Sequence, residues 1–238
     1  MATFVLIHGG GHGGWCWEPV AARLAQAGHR VHAPTLTGLA ERRHLAGPAI
    51  TLDTHIADGL ALLHGEDLSD VILVGHSYGG MVMTGMADRA GDRVRRLVYL
   101  DAAIPADGEA LVDLSPGLQT FNDVRMVDGT ALGLWPDAAL LGQLYGIGDA
   151  DLAAWVLPRL TPHPWRTFET ALHLQDPARL ARIPRAIVNC AATLARRPAD
   201  KRDRWLAGDF VRTVDAGHDL MLTEPALVTS LLLEIAAL

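Results

Sequence analysis

The chain carries two cysteines, Cys16 and Cys190, in 238 residues. That is too few for a disulfide framework, and neither stands at a metal-ligand spacing. Both are expected to be buried structural thiols, which suits a reducing cytoplasm. No apolar run approaches the roughly 18 residues that a membrane-spanning helix needs, so no membrane partner is expected. The N-terminal Met-Ala-Thr runs straight into Phe4-Val5-Leu6-Ile7. Without a basic segment, a long apolar segment or a small-residue cleavage site, a secretory signal is not expected either.

Basic residues are in the minority, 20 Lys and Arg against 27 Asp and Glu. No basic run interleaves with aromatics, which argues against a nucleic-acid partner. Internal repeats and low-complexity linkers are also missing. What is present is ordinary for a globular chain: half of the residues are hydrophobic, enough to bury a sizeable core and to exclude disorder. The expected partner is a small molecule; a homodimer stays open.

Short apolar runs alternate with helix-period segments. That is the pattern of an α/β protein with a mostly parallel sheet covered on both faces. Strands are expected at residues 3–8, 30–34, 70–74, 94–100, 186–190 and 210–214, six in all. Helices are expected at about 16–27, 52–64 and 79–90, with Gly28 and Gly91 at two of the stops. A last helix begins near Thr223-Glu224-Pro225, with proline in its first turn.

One stretch breaks the alternation. Between Leu100 and Ala186 lie about 85 residues with no clear strand, too many for a structureless loop in a compact domain. They hold Trp135, Trp155 and Trp165. The expected organisation is one domain over 1–238, with a core of 1–101 and 184–238 and an inserted helical cap at about 102–183.

The apolar strand Val71-Ile72-Leu73-Val74 leads into Gly75-His76-Ser77-Tyr78-Gly79-Gly80 and then a helix. Gly-x-Ser-x-Gly in that context is a nucleophile elbow. The turn is so sharp that the serine backbone is strained and its hydroxyl exposed, and Gly75 and Gly79 must lack side chains for strand and helix to pack. Tyr78, next in the chain, would offer one backbone N–H to a developing oxyanion.

A second donor must come from a loop after a neighbouring strand, where glycines let the backbone approach closely. His8-Gly9-Gly10-Gly11-His12-Gly13-Gly14 follows the first strand. Gly10 is the first choice for that donor and Gly9 the second. The loop lacks the Gly-Lys-Ser/Thr ending of a phosphate-binding loop. His8 and His12 are read as structural or lining residues.

A serine needs an imidazole to take its proton. His218 follows the expected last strand in Asp215-Ala216-Gly217-His218-Asp219, on a loop facing the elbow across the top of the sheet. The orienting acid most often follows the penultimate strand, but Ile187-Val188-Asn189-Cys190 is followed by Ala191-Ala192-Thr193-Leu194-Ala195, with no carboxylate before Asp200. Asp101, at the end of the strand beyond the elbow, is therefore the candidate acid. Asp200, Asp203 or an acid-free dyad are the alternatives.

Over essentially its whole length the chain resembles the small α/β-hydrolases that include plant methylesterases, hydroxynitrile lyases and bacterial esterases. The matching pieces are Phe4-Val5-Leu6-Ile7-His8-Gly9, Gly13-Gly14-Trp15-Cys16-Trp17, Gly75-His76-Ser77-Tyr78-Gly79-Gly80-Met81 and Gly217-His218-Asp219. The resemblance implies an α/β-hydrolase fold, no cofactor and a lid after the sixth strand of the family's sheet. The lyases of this group carry a threonine after the first-strand histidine and a lysine after the catalytic one. Gly9 and Asp219 stand there instead, which favours the hydrolase branch. The plant enzymes place their acid after the penultimate strand, and this chain does not.

The expected activity is hydrolysis of a carboxylic ester through an acyl-enzyme on Ser77. The cap tryptophans and leucines suggest an apolar or aromatic substrate portion, with His12, Trp135 and Trp155 as pocket candidates. Thioester or lactone cleavage, a lyase or cyclisation on the same site, and a non-catalytic ligand receptor are the competing readings.

Overall fold

The computed structural model describes residues 1–115, 117–118 and 123–238. Six strands form one parallel sheet: β1 (Thr3–Ile7), β2 (Arg30–His32), β3 (Val71–His76), β4 (Val94–Leu100), β8 (Arg185–Cys190) and β9 (Phe210–Val214). Their order is β2-β1-β3-β4-β8-β9, and every neighbouring pair is parallel. β3 is buried along its whole length, which explains why Val71–Val74 reads as a continuous apolar run rather than an alternating one.

The chain leaves β1 towards one edge of the sheet and leaves β3 towards the other. A right-handed crossover puts its helix on opposite faces for the two directions. Accordingly α1 (Glu18–Gln26) packs with the C-terminal helix Pro225–Ala236, while α2 (Leu52–Gly65) packs with α3 (Gly79–Arg89). α1 ends two residues before Gly28, whose φ of +84° no β-carbon has to share. α2 is capped by Thr51, whose N–H donates to Thr54 Oγ1 at 3.2 Å. The direction reverses between β1 and β3, so their C-terminal ends splay apart into a crevice, where ligands bind in open α/β sheets. The loop of Gly9 and Gly10 and the elbow of Ser77 are the two lips of that crevice.

The segment between β4 and β8 is not helical throughout. Besides short helices it holds an antiparallel sheet of β5 (Arg125–Val127), β6 (Thr130–Gly133) and β7 (His163–Pro164). Strands of two to four residues are too short to display an alternation. The β5–β6 turn did leave a signal: Asp128 and Gly129 both have positive φ, +47° and +77°, as a tight hairpin requires. Among the described residues no helix is long and apolar enough to cross a membrane.

Candidate active site

Ser77 sits between β3 and α3 with φ +53°, the left-handed backbone that a sharp strand–helix turn forces on it. The flanking glycines are sterically required. A β-carbon at Gly75 would lie 2.7 Å from the Gly79 carbonyl oxygen, and one at Gly79 would lie 2.5 Å from that of Ile7.

The Ser77 hydroxyl is 2.9 Å from His218 Nε2, and His218 Nδ1 is 2.6 Å from Asp101 Oδ2. A carboxylate on Nδ1 fixes the tautomer: Nδ1–H donates to Asp101, leaving Nε2 to accept from the serine. His218 is only partly buried, whereas the Asp101 side chain is 1% exposed. Burial alone would raise the Asp101 pKa, but the hydrogen bond and charge of His218, Arg197 and the Cys190 N–H outweigh it and hold it at about 2. Asp200 and Asp203 are exposed and take no part in this chain of contacts.

Asp101 also has a positive φ, +47°. The turn is secured on all sides. Asp101 N–H donates to Val188 O (2.7 Å), Cys190 N–H donates to Asp101 Oδ1 (3.0 Å), and Ala103 N–H donates to Ser77 O (2.9 Å).

The backbone N–H groups of Gly10 and Tyr78 have no partner within the protein among the described residues, and both residues line the cavity that opens onto Ser77 and His218. The direction of the Gly10 N–H is set from behind. In a trans peptide it points opposite to the Gly9 carbonyl, and that carbonyl accepts from His8 Nδ1–H at 2.8 Å. His8 Nε2 in turn accepts from Leu36 N–H at 3.1 Å. Burial pushes the His8 pKa down to about 3, so the ring stays neutral in that tautomer.

The next peptide is anchored as firmly. Gly10 O accepts from His12 Nδ1–H (2.8 Å) and from the Tyr145 hydroxyl (3.2 Å). Gly11 N–H donates to His163 Nδ1 (3.1 Å), and Thr161 N–H donates to Gly11 O (2.9 Å). Tyr145, Thr161 and His163 all come from the insertion, so the insertion grips the glycine loop through its backbone. Gly9 does not face the cavity. A β-carbon there would lie 2.9 Å from Ser77 Cβ and 3.0 Å from His76 Nδ1.

His76 is fully buried and neutral, its pKa lowered to about 3 by desolvation and the neighbouring His218. Its Nε2–H donates to the His218 carbonyl at 2.9 Å, which steadies the backbone of the loop. The Tyr78 hydroxyl donates to His55 Nδ1 (2.9 Å), and His55 Nε2–H donates to Thr37 O (2.8 Å).

The cavity measures about 210 Å³. Leu111, Leu114, Leu134, Leu144 and Phe168 make it largely apolar, and Thr193, Arg196 and Arg197 add polar groups. His12, Trp135 and Trp155, the expected pocket residues, are not among its lining. His12 lies behind the glycine loop, its Nε2 bonded to Asp219. The Trp135 ring is covered by the Arg125 guanidinium, and the Trp155 ring is held between Arg159 and the edge of Trp15. Helical spacing marked these tryptophans as apolar but could not say which surface each covers. Tyr145, Phe168, Arg197 and Trp205 contribute to the site and carried no motif.

The Alpha/beta hydrolase family matches residues 4–231. A carbendazim-hydrolysing esterase of Nocardioides sp. (strain SG-4G) is 46% identical over 180 residues, covering 73% of this chain and 74% of that protein. Methylesterase 7 of Arabidopsis thaliana is 30% identical, covering 98% and 95% of the two chains. Among solved structures, an extracellular alpha/beta-hydrolase from a Paenibacillus species superposes with a TM-score of 0.82 at 24% identity, covering 98% of each chain.

Proposed function

The chain belongs to the alpha/beta hydrolase family, and on that premise we propose that it hydrolyses small carboxylic esters through an acyl-enzyme on Ser77. The observation that carries this reading is the continuous relay from the Ser77 hydroxyl through both nitrogens of His218 to a buried, ionised Asp101.

In the first half-reaction Ser77 Oγ attacks the ester carbonyl while its proton passes to His218 Nε2. Asp101 stabilises the imidazolium without taking its proton. The oxyanion receives hydrogen bonds from the Tyr78 and Gly10 N–H groups. Collapse expels the alcohol, which takes the proton from Nε2. In the second half a water gives a proton to Nε2 and attacks the acyl carbon, freeing the acid and restoring Ser77.

A cavity of about 210 Å³ is small beside the ~300–1,000 Å³ usual for ligand pockets. About 150 Å³ suffices for one benzene ring. The substrate portion it favours is therefore a single aromatic ring or a short branched chain. The named relatives make carbendazim and methyl esters the first compounds to try.

Two positions weigh against a lyase. A threonine at Gly9 would push its β-carbon into Ser77 Cβ, and Asp219 puts a carboxylate engaged with His12 where those lyases carry an ammonium. The reading includes one domain with a core of 1–101 and 184–238 and a cap at 102–183, since the chain leaves the sheet at β4 and rejoins it at β8. It also includes a cytoplasmic setting, supported by the two buried free thiols, and requires only a small-molecule partner.

The test is labelling by a serine-directed fluorophosphonate, with a panel of p-nitrophenyl and methyl esters and carbendazim. Labelling and turnover that both vanish in Ser77→Ala are expected. An unlabelled wild-type protein that turns over none of the panel would contradict the reading.

A further inference from the structure

We propose that Arg197 is a positioning residue for the acid: its guanidinium, held against the Trp205 ring, clamps the Asp101–Ala102 backbone so that the carboxylate meets His218. The inference rests on Asp101 being the acid.

A non-glycine residue at φ +47° costs about 1–2 kcal/mol and persists only where its surroundings over-determine it. Arg197 supplies much of that determination. Its Nη2 donates to the carbonyls of both Asp101 (3.0 Å) and Ala102 (3.1 Å). The indole Nε1–H of Trp205 donates to the same Ala102 carbonyl at 2.7 Å. The guanidinium lies 4.6 Å from the Trp205 ring centroid, a cation–π geometry that fixes its plane. Arg197 is 8% exposed and Trp205 fully buried, so neither swings away freely.

Charge points the same way. A buried cation needs a compensating anion, yet the hydrogen bonds of Arg197 go to neutral carbonyls. Burial lowers its pKa, and Asp101 is the leading opposing influence. Reciprocally, Arg197 is one of the groups that keep Asp101 ionised. The two are held together through backbone contact and field rather than a direct ion pair.

The placement along the chain has its own logic. Cys190, Arg197 and Trp205, which hold Asp101 and Ala102, lie at the end of β8 or after it. That is the stretch where the resembled plant enzymes carry the acid itself. Here it has no carboxylate at that place and holds one delivered from β4.

A double-mutant cycle tests this, with p-nitrophenyl acetate turnover and the fluorophosphonate labelling rate as readouts. Arg197→Met is expected to lower kcat and the labelling rate by about 10²-fold, the cost of misplacing a catalytic group by about 1 Å. KM should change far less than kcat, because Arg197 is only one of many groups lining the cavity whereas a misplaced acid acts on the transition state. In an Asp101→Asn background the same substitution should change both rates by less than about threefold, because residues acting as one unit are not additive.

Equal losses in both backgrounds would overturn the proposal, as would a near-wild-type Arg197→Met beside an inactive Asp101→Asn. If Arg197→Met does not fold, Trp205→Phe removes the bond to Ala102 and keeps a ring under the guanidinium. Its expected loss of about 10-fold must likewise disappear in Asp101→Asn, and a loss that persists there overturns the proposal. An Asp101→Asn that alone keeps full turnover would instead sink the reading of Asp101 as the acid, and this inference with it.

Discussion

His12 and Asp219 form an ion pair with no solvent contact. Nε2 and Oδ2 are 2.9 Å apart, and both side chains are 0% exposed. Both ring nitrogens of His12 face acceptors, Gly10 O and Asp219, so the ring is an imidazolium. Burial opposes its charge, but Asp219 raises the His12 pKa, and His12 in turn lowers that of Asp219. The pair joins the glycine loop to the residue beside His218.

Removing one partner of a buried pair typically costs about 3–5 kcal/mol. Asp219→Ala should lose that much in urea unfolding. Asp219→Asn should lose far less, because a neutral His12 can keep Nδ1–H on Gly10 O and accept from the new amide. An Asp219→Ala as stable as wild type would show that the pair is not charged as described.

His8 gives a kinetic prediction. His8→Leu removes the donor that holds the Gly9 carbonyl, freeing the Gly10 N–H to turn. Losing an oxyanion donor outright costs about 10²–10³ in turnover, so disorienting one should cost about 10-fold or more in kcat with KM little changed. An unchanged kcat in a folded His8→Leu would remove Gly10 from the oxyanion site.

Much of this was legible in the sequence, and the reasons differ by element. Most of the six sheet strands carry apolar runs bounded by turns, β2 (Arg30–His32) being the exception, and each lies within about two residues of its expected place. Ser77 and His218 stood out because their chemistry needs fixed neighbours: glycines at the elbow, and a loop after the last strand. Asp101 could be reached only by elimination, from a missing carboxylate after β8. Arg197 and Trp205 were invisible because a guanidinium on a backbone carbonyl leaves no local pattern. The cap hairpin was missed although Asp128-Gly129 announces it.

Acid sensitivity follows from four buried histidines. Burial lowers the pKa values of His8 and His76 to about 3, His55 to about 4, and His163 well below its ordinary value. A depressed histidine is neutral when folded but takes a proton when unfolded, below about pH 6.5. Stability therefore falls as pH drops from about 6.5 towards 4, by about 1.4 kcal/mol per pH unit for each group. Four together give roughly 5 kcal/mol per unit, comparable to the whole stability of a small domain. The urea midpoint should fall steeply between pH 6.5 and 5; a midpoint constant to pH 4.5 would contradict the neutral assignment.

The most direct measurement is the turnover of Asp101→Asn beside Asp200→Asn and Asp203→Asn, each checked for folding by thermal denaturation. Asp101→Asn should keep a cooperative transition and lose about 10⁴-fold in kcat, because an amide cannot hold His218 in the working tautomer. Asp200→Asn and Asp203→Asn, changed at exposed side chains, should match wild type. A folded Asp101→Asn with near-wild-type kcat would contradict the relay from Ser77 through His218 to Asp101.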